Sequence, residues 1–445
     1  MSLSPRTHTR QILRASKRVA SKLFRRGVEA GGGGRRWEGG SFLASPAQQT
    51  LAARGAAQSR AAAAYINTPF GNRIVEVHCT NMVGKGYQVR SRHPDEDTRR
   101  RLGEAFEELV GPALLPMCRA LVRDGEAFFR IIVDADGETR LKQVPADQVD
   151  PSLSRDLGNG ARIVAGVEFD ASDQIAAYHV LPEAPGTPFA AYGEAKRIPA
   201  SDMLHIFDPL FPGQVRGISW LSPVLLKLRD RDEASDAMLM REKVSALTTG
   251  YIKDPEGSFG GFEGTETGSA LNVSLEPGAM RVLPMGAEVT FSQPGQGLSQ
   301  AVEFLRAQDR EIAAGAGLTF EALTGDLGEA NYSSARVGLL EFRRRAEMLQ
   351  RNLIEGQFLR PLWRRWIDIQ ALAGAIPADP VSLSDYRDVR FVPPGWQWVD
   401  PRNEAEADIA AINAGLKSRE EVVAARGRDI DELNAEIERD QIRQA

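Results

Sequence analysis

Two long helical patterns separated by a glycine-rich excursion constrain this chain more than any other feature. The first is "SWLSPVLLKLRDRDEASDAMLMREKVSALTTGYI", from Ser219. Ser222 is placed to cap a helix there, and Pro223 to sit in its first turn, where a missing N–H is no loss. Leu221, Val224, Leu225 and Leu228 make one apolar stripe, which Met238, Val244 and Leu247 continue. Lys227, Arg229, Asp230, Arg231, Asp232 and Glu233 interrupt it. A helix this long and this wet at its centre does not belong inside one core. The pattern predicts packing beside a partner helix or beside copies of itself.

Residues 253–297 are Gly-rich and Pro-punctuated, with "AMRVLPMGAEVTFS" read as a small hairpin. A second helix follows, "SQAVEFLRAQDREIAAGAGL". A polar phrase, "EANYSSARVG", then leads into a third long helix, in which Pro361 is expected to make a kink and Trp363 and Trp366 to be core residues. Ahead of all this, residues 60–215 are mixed. "SRAAAAYINTPFGNRIVEVHCTNMVG" reads as one helix and "PDEDTRRRLGEAFEELV" as another, acid-led one. "RALVRDGEAFFRIIVDADGETRLKQV" reads as a short helix and a hairpin turning at "DADG", and "GARIVAGVEFDASDQIAAYHVL" as a hairpin turning at "DASD". "KRIPASDMLHIF" adds a strand, which makes this block α+β with antiparallel hairpins. Helices return in the tail after Asp400 and Ser418.

Composition narrows the function. The chain has 445 residues, 42% hydrophobic and 26% charged, with a net charge of −5. That balance disfavours a protein gripping DNA over its whole surface. No apolar run is long enough for a membrane span, and the basic N-terminus lacks the apolar segment of a secretory signal. Assembly in a cytoplasm is therefore expected. Cys79 and Cys118 give no metal spacing or disulfide framework and read as buried, reduced thiols. His8, His78, His93, His179 and His205 show no ligand spacing, and the carboxylate pairs Asp95/Asp97 and Asp230/Asp232 sit on charged helical faces. No nucleophile elbow, P-loop or dinucleotide fingerprint is present. No convergence of polar groups is visible, so the expectation is a structural part rather than an enzyme, with no metal and no cofactor.

The order of elements resembles the portal proteins of tailed bacteriophages, and in particular the lambda-type portal family. "NMVGKGYQV", "DGEAFFRI", "GVEFD", "MLHIFDPLFPGQVRGISWLSPVL", "TGDLGEANYSSARVGLLEFRR" and "DPRNEAEADIAAINAGLKSREEVVAARGRD" carry the resemblance, in that order, over roughly residues 60–430. It implies an α+β portal fold and a ring, usually of twelve subunits, at one capsid vertex of the virion. Double-stranded DNA passes weakly and without sequence specificity through such a ring. The terminase large subunit, head-completion or adaptor proteins and the major capsid protein are its partners. The implied divisions are an N-terminal arm at 1–59, an α+β wing at 60–218, a stem helix at 219–250 and a clip at 251–298. A second stem helix follows at 299–321, a tunnel loop at 322–335, a kinked helix at 336–375 and a helical wing or crown region at 376–445. The Gly-rich start and the short, charged tail depart from the family pattern, which leaves a prophage or gene transfer agent relative open. The alternative class is a head-to-tail adaptor or other minor capsid protein.

On this resemblance, Asn331, Tyr332, Ser333 and Ser334 form a polar collar facing DNA, flanked by Glu329 and Arg336. Ser333 or Ser334 also caps the next helix; the plainer alternative is a cap alone, with Tyr332 packed inward. Arg343, Arg344 and Arg345 are candidate contacts to DNA or to a neighbouring subunit, or else a solvated face. The basic stretch 1–36 is either a flexible tail or an arm that touches nucleic acid or a neighbour.

Overall fold

Thr68 ends one helix and starts the next in the computed structural model of the chain. The structure describes residues 45–134, 137–187, 193–246, 250–252, 265–267, 270–272, 280–282, 298–328, 332–396 and 400–444. The chain divides into residues 1–52 and 53–445, the first contributing only the opening of one helix among the described residues. The N-terminal arm up to residue 44 and most of the region read as a clip lie outside the described residues.

Helices α1 (Pro46–Asn67) and α2 (Pro69–Val83) replace the single helix expected from residue 60, and α1 also takes in the last part of the segment read as an arm. Pro69 disfavours helical geometry at the residue before it. Thr68 is extended, and its hydroxyl accepts a hydrogen bond from Gly71 N at 3.1 Å. After β1 (Gln88–Ser91), the opposite difference occurs: α3 (Glu96–Asp124) runs unbroken through Pro112 and Pro116, where the sequence suggests two helices. Each internal proline costs about 3 kcal/mol. Leu102, Phe106, Leu114, Met117 and Leu121 are all buried on this helix, and burial of such side chains contributes about 1.5–3 kcal/mol each.

The α+β block contains two antiparallel sheets. Strands β2 (Glu126–Val133), β3 (Thr139–Val144) and β9 (Met203–Phe207) form one, in the order β3-β2-β9. Strands β4 (Arg155–Gly158), β5 (Ala161–Val164), β6 (Val167–Phe169), β7 (Ile175–Val180) and β8 (Lys196–Pro199) form the other in sequence order. "KRIPASDMLHIF" is thus two strands in different sheets, separated by a 3₁₀ turn at Ala200–Asp202. Strand β2 serves two cores because its side chains alternate. Phe129 and Ile131 join the main core with α2 and α3, whereas Phe128 joins a second core with Val149, Val167 and Tyr178.

Next come α4 (Leu225–Ala246), β10 (Gly250–Ile252), β11 (Thr265–Thr267), β12 (Ala270–Asn272), β13 (Met280–Val282) and α5 (Leu298–Ala316). Strand β13 pairs in parallel with β10, and the second arm of the hairpin expected here lies outside the described residues. After α6 (Phe320–Thr324), helix α7 (Tyr332–Leu349) passes through a π-helical stretch, Gln350–Leu359, into α8 (Arg360–Leu372). The wider turns precede Pro361, which falls in the first turn of α8, so the missing donor is absorbed by a change of helical winding. Trp363 and Trp366 pack edgewise and tilted on Phe106, at 5.0 and 5.5 Å, as core residues. Helix α9 (Pro380–Arg387) leads to β14 (Val389–Val392), which pairs with β1. The end is α10 (Pro401–Asn413), α11 (Arg419–Ala424) and α12 (Ile430–Gln444); Asp400 caps α10, and Ser418 caps α11 as expected. Among the described residues no helix is long and apolar enough to cross a membrane.

Candidate functional site

Helices α4 and α5 form an antiparallel pair whose charged middle is turned to use. Lys227 Nζ meets Glu311 Oε2 at 2.8 Å, and Arg231 Nε meets the buried Asp309 at 3.0 Å. At the root, Leu221, Val224 and Leu228 pack with Ile312, Ala313 and Ala316 in the main core. Gly315 lets the two helices approach, since a Cβ there would lie 2.6 Å from Val224 Cγ1. Farther along, Leu239 and Met240 of α4 and Val302 and Phe304 of α5 are exposed. The expected cap at Ser222 is absent: its hydroxyl is buried with no partner among the described residues. Residues 219–224 wind instead as tight turns, with Ser222 N donating to Ser219 O (3.0 Å) and Val224 N to Leu221 O (2.9 Å), which delays the helix to Leu225.

The connector entering α4 is fixed by a buried ionic joint that the sequence did not disclose. Glu126, the first residue of β2, is fully buried. Arg216 donates to it from Nε (3.0 Å) and Nη2 (2.8 Å), Gly217 N donates at 2.8 Å, Arg54 of α1 donates from Nη2, and His205 Nε2 lies 3.1 Å away. The remaining Arg216 donors reach Ala146 O (2.5 Å) and Ala165 O (2.6 Å). Beside the ion pair, two glycines lie back to back. A Cβ on Gly217 would fall 2.1 Å from Gly125 O, and one on Gly125 would fall 2.1 Å from Ile218 C. Gly125 also closes α3 at φ 91°, a conformation that favours glycine. His205 is sandwiched between Phe128 (4.1 Å) and Phe207 (4.6 Å).

Burial alone would raise the Glu126 pKa. The guanidiniums of Arg216 and Arg54 and the hydrogen bond from His205 reverse this and hold the carboxyl below the usual range. His205 is pushed down, by burial first and then by the two arginines. The joint is therefore one carboxylate with two guanidiniums and a neutral imidazole. It ties α1, both sheets and the root of α4 together, and suits positioning rather than turnover. A carboxylate and an arginine, each next to a glycine in "DGE" and "RGI", were the available signal. Their separation of 90 residues hid the pairing.

The residues expected to line a channel are distributed as follows. Glu329 and Asn331 lie outside the described residues. Tyr332 opens α7, so Ser333 and Ser334 are in its first turn rather than at its cap. Residues 322–324, read as part of the loop, belong to α6, which Thr319 caps and Gly325 ends in the left-handed conformation. Arg336 meets Glu404 at 3.4 Å. The three arginines fan apart on α7, as successive helical positions must. Arg343 lies over the Trp396 ring at 5.4 Å, Arg344 is exposed, and the exposed Arg345 lies against Gly317. Cys79 and Cys118 are free and buried. Among the described residues no cluster of His, Cys, Asp and Glu could hold a metal ion.

A family model described as phage portal protein, lambda family, matches residues 33–350. The chain belongs to that family, a structural one, and its α+β architecture is the portal fold. A probable portal protein of Halomonas phage phiHAP-1 is 26% identical over 413 residues, covering 86% of this chain and 79% of the relative. Portal protein B of Escherichia phage lambda is 22% identical over 347 residues, covering 70% of this chain and 65% of its own length. A chain from the neck of a native gene transfer agent particle, computed with C12 symmetry, aligns at 15% identity and a TM-score of 0.38 over 84% of this chain and 91% of that one.

Proposed function

We propose that copies of this chain close into a ring, of about twelve by family resemblance, at one capsid vertex of a phage-like particle, and that double-stranded DNA passes through its centre during packaging and ejection. The family match over residues 33–350 carries this reading. The exposed apolar residues on the far part of α4 and α5 support it, because a lone subunit leaves them in water. In this reading α4 and α5 are the stem, residues 60–218 the wing, 251–298 the clip that docks the terminase motor and later the head-completion proteins, and 376–445 wing and crown. The polar collar is made of Glu329 and Asn331, ahead of α7, and of Tyr332, Ser333 and Ser334 in its first turn, with Arg336 braced by Glu404 one turn on. Each chain carries −5, so the ring repels phosphate overall. A strongly basic wall would trap the duplex through counterion release instead of passing it. The test is packaging: capsids assembled with the chain should protect DNA from nuclease, and capsids assembled without it should not. Equal protection in both would reject the reading.

A further inference from the structure

Two exposed apolar features of the α+β block belong to opposite edges of one sheet. The order β3-β2-β9 makes β3 and β9 the outer strands. Following β9 is a loop, "DPLFPGQ", whose Leu210 is 58% exposed and Phe211 38%. Pro209 and Pro212 hold the residues before them extended. Gln214 fixes the loop from inside: its Oε1 accepts from Leu210 N (2.8 Å), its N donates to Phe211 O (3.2 Å) and its Nε2 to Arg216 O (2.9 Å). The loop is therefore a preformed apolar knob rooted in the ionic joint.

On the β3 edge, α3, β3 and α8 enclose an open groove of about 660 Å³ floored by Leu109, Ala113, Phe129, Leu141 and Trp366. Antiparallel alternation turns the backbone groups of Thr139, Leu141 and Gln143 away from β2, and no strand pairs with them among the described residues. The buried Thr139 hydroxyl has no hydrogen-bond partner among the described residues. Glu108 and Glu138 stand on the rim, where Arg140 is held by Asp134 (2.8 Å) and Glu138 (3.1 Å). Three carboxylates against Arg140 and the exposed Lys142 of β3 leave this edge weakly acidic. The knob edge carries the exposed Arg345, whose charge acts on Asp208 at the base of the loop.

We propose that Leu210 and Phe211 of one copy seat in the α3/β3/α8 groove of the next copy. This rests on the ring reading above. A chain cannot fill its own groove with a knob on the other edge, and knob-to-groove contact between unlike edges is the head-to-tail arrangement that closes into rings. The acidic rim and Arg345 set the polarity of the contact.

The test pairs Phe211→Cys with Gln143→Cys in the full chain, with each single variant as control; Cys79 and Cys118 are buried. On mild oxidation the pair should give a ladder of covalent oligomers on a non-reducing gel, and neither single variant should. Phe211→Glu should keep the wild-type melting curve yet lose ring mass in light scattering. Rings of full mass in Phe211→Glu, or no ladder while rings form, would overturn this contact alone. A wild-type chain that stays single at every concentration would overturn the ring reading and the contact with it.

Discussion

Arg216 and Glu126 meet in complete burial, the carboxylate taking Nε and Nη2 of one guanidinium at 3.0 and 2.8 Å. Breaking a buried pair of this kind costs about 3–5 kcal/mol because it strands the other charge. Arg216→Ala should therefore lose about that much in denaturant unfolding. Arg216→Lys should recover only part, since one ammonium cannot supply the fork together with the bonds to Ala146 and Ala165. Full recovery by lysine would show that charge alone matters there.

The glycines behind the pair are the second exposure of the joint to test. Gly217→Ala would force a Cβ to 2.1 Å from Gly125 O, and that neighbour is backbone that cannot swing away. Gly125→Ala adds a left-handed conformation to a similar clash. Each should lower stability by at least about 2–3 kcal/mol, or prevent folding, as read by thermal melts.

Stability should also depend on pH through His78. Burial, with a smaller push from Arg345, lowers its pKa from 6.5 to about 4 against the opposing hydrogen bond to Ala316 O. Between those values the unfolded chain binds the extra proton. Stability is therefore full above pH 6.5 and falls as pH drops toward 4, by about 3 kcal/mol from this residue. His205, also depressed by burial, acts with the same sign. Glu126 has the opposite linkage: its depressed pKa gives stability that is present above the unfolded carboxyl value and is lost only as pH falls well below it. His78→Gln should flatten the decline between pH 7 and pH 4.5, and an unchanged slope would assign it elsewhere.

The collar gives a functional prediction. Asn331→Gly with Tyr332→Gly should leave oligomer mass unchanged while packaged DNA is retained less well, measured as nuclease-protected DNA over time. Full retention would remove these residues from the DNA path.

Much of the fold was legible in sequence, and the illegible parts share a cause. Local chemistry announced the acid-led start of α3, the Ser418 cap, the turn at "DASD" and the apolar root of α4, because each depends on residues within a few positions; Asp95, read as part of a charged helical face, is instead the N-cap of α3. Pro112 and Pro116 misled because burial of one face of α3 outweighs two missing donors. Ser222 misled because the chain from Ser219 is tied to Val122, whose carbonyl accepts from Trp220 N at 3.1 Å, and so enters α4 by tight turns. The ionic joint was invisible because it joins Arg54, Glu126, His205 and Arg216 from four separate segments. Of the channel-lining candidates, Arg336 and Arg343 proved engaged with Glu404 and Trp396, contacts that only a folded C-terminal region supplies.

Native mass measurement of the purified chain, with end-on images of the same particles, tests the closed-ring claim most directly. Twelve chains of 48.6 kDa should give annular particles of about 583 kDa with a central hole wide enough for duplex DNA. A lone 48.6 kDa species across the whole concentration range, with no annular particles, would contradict it.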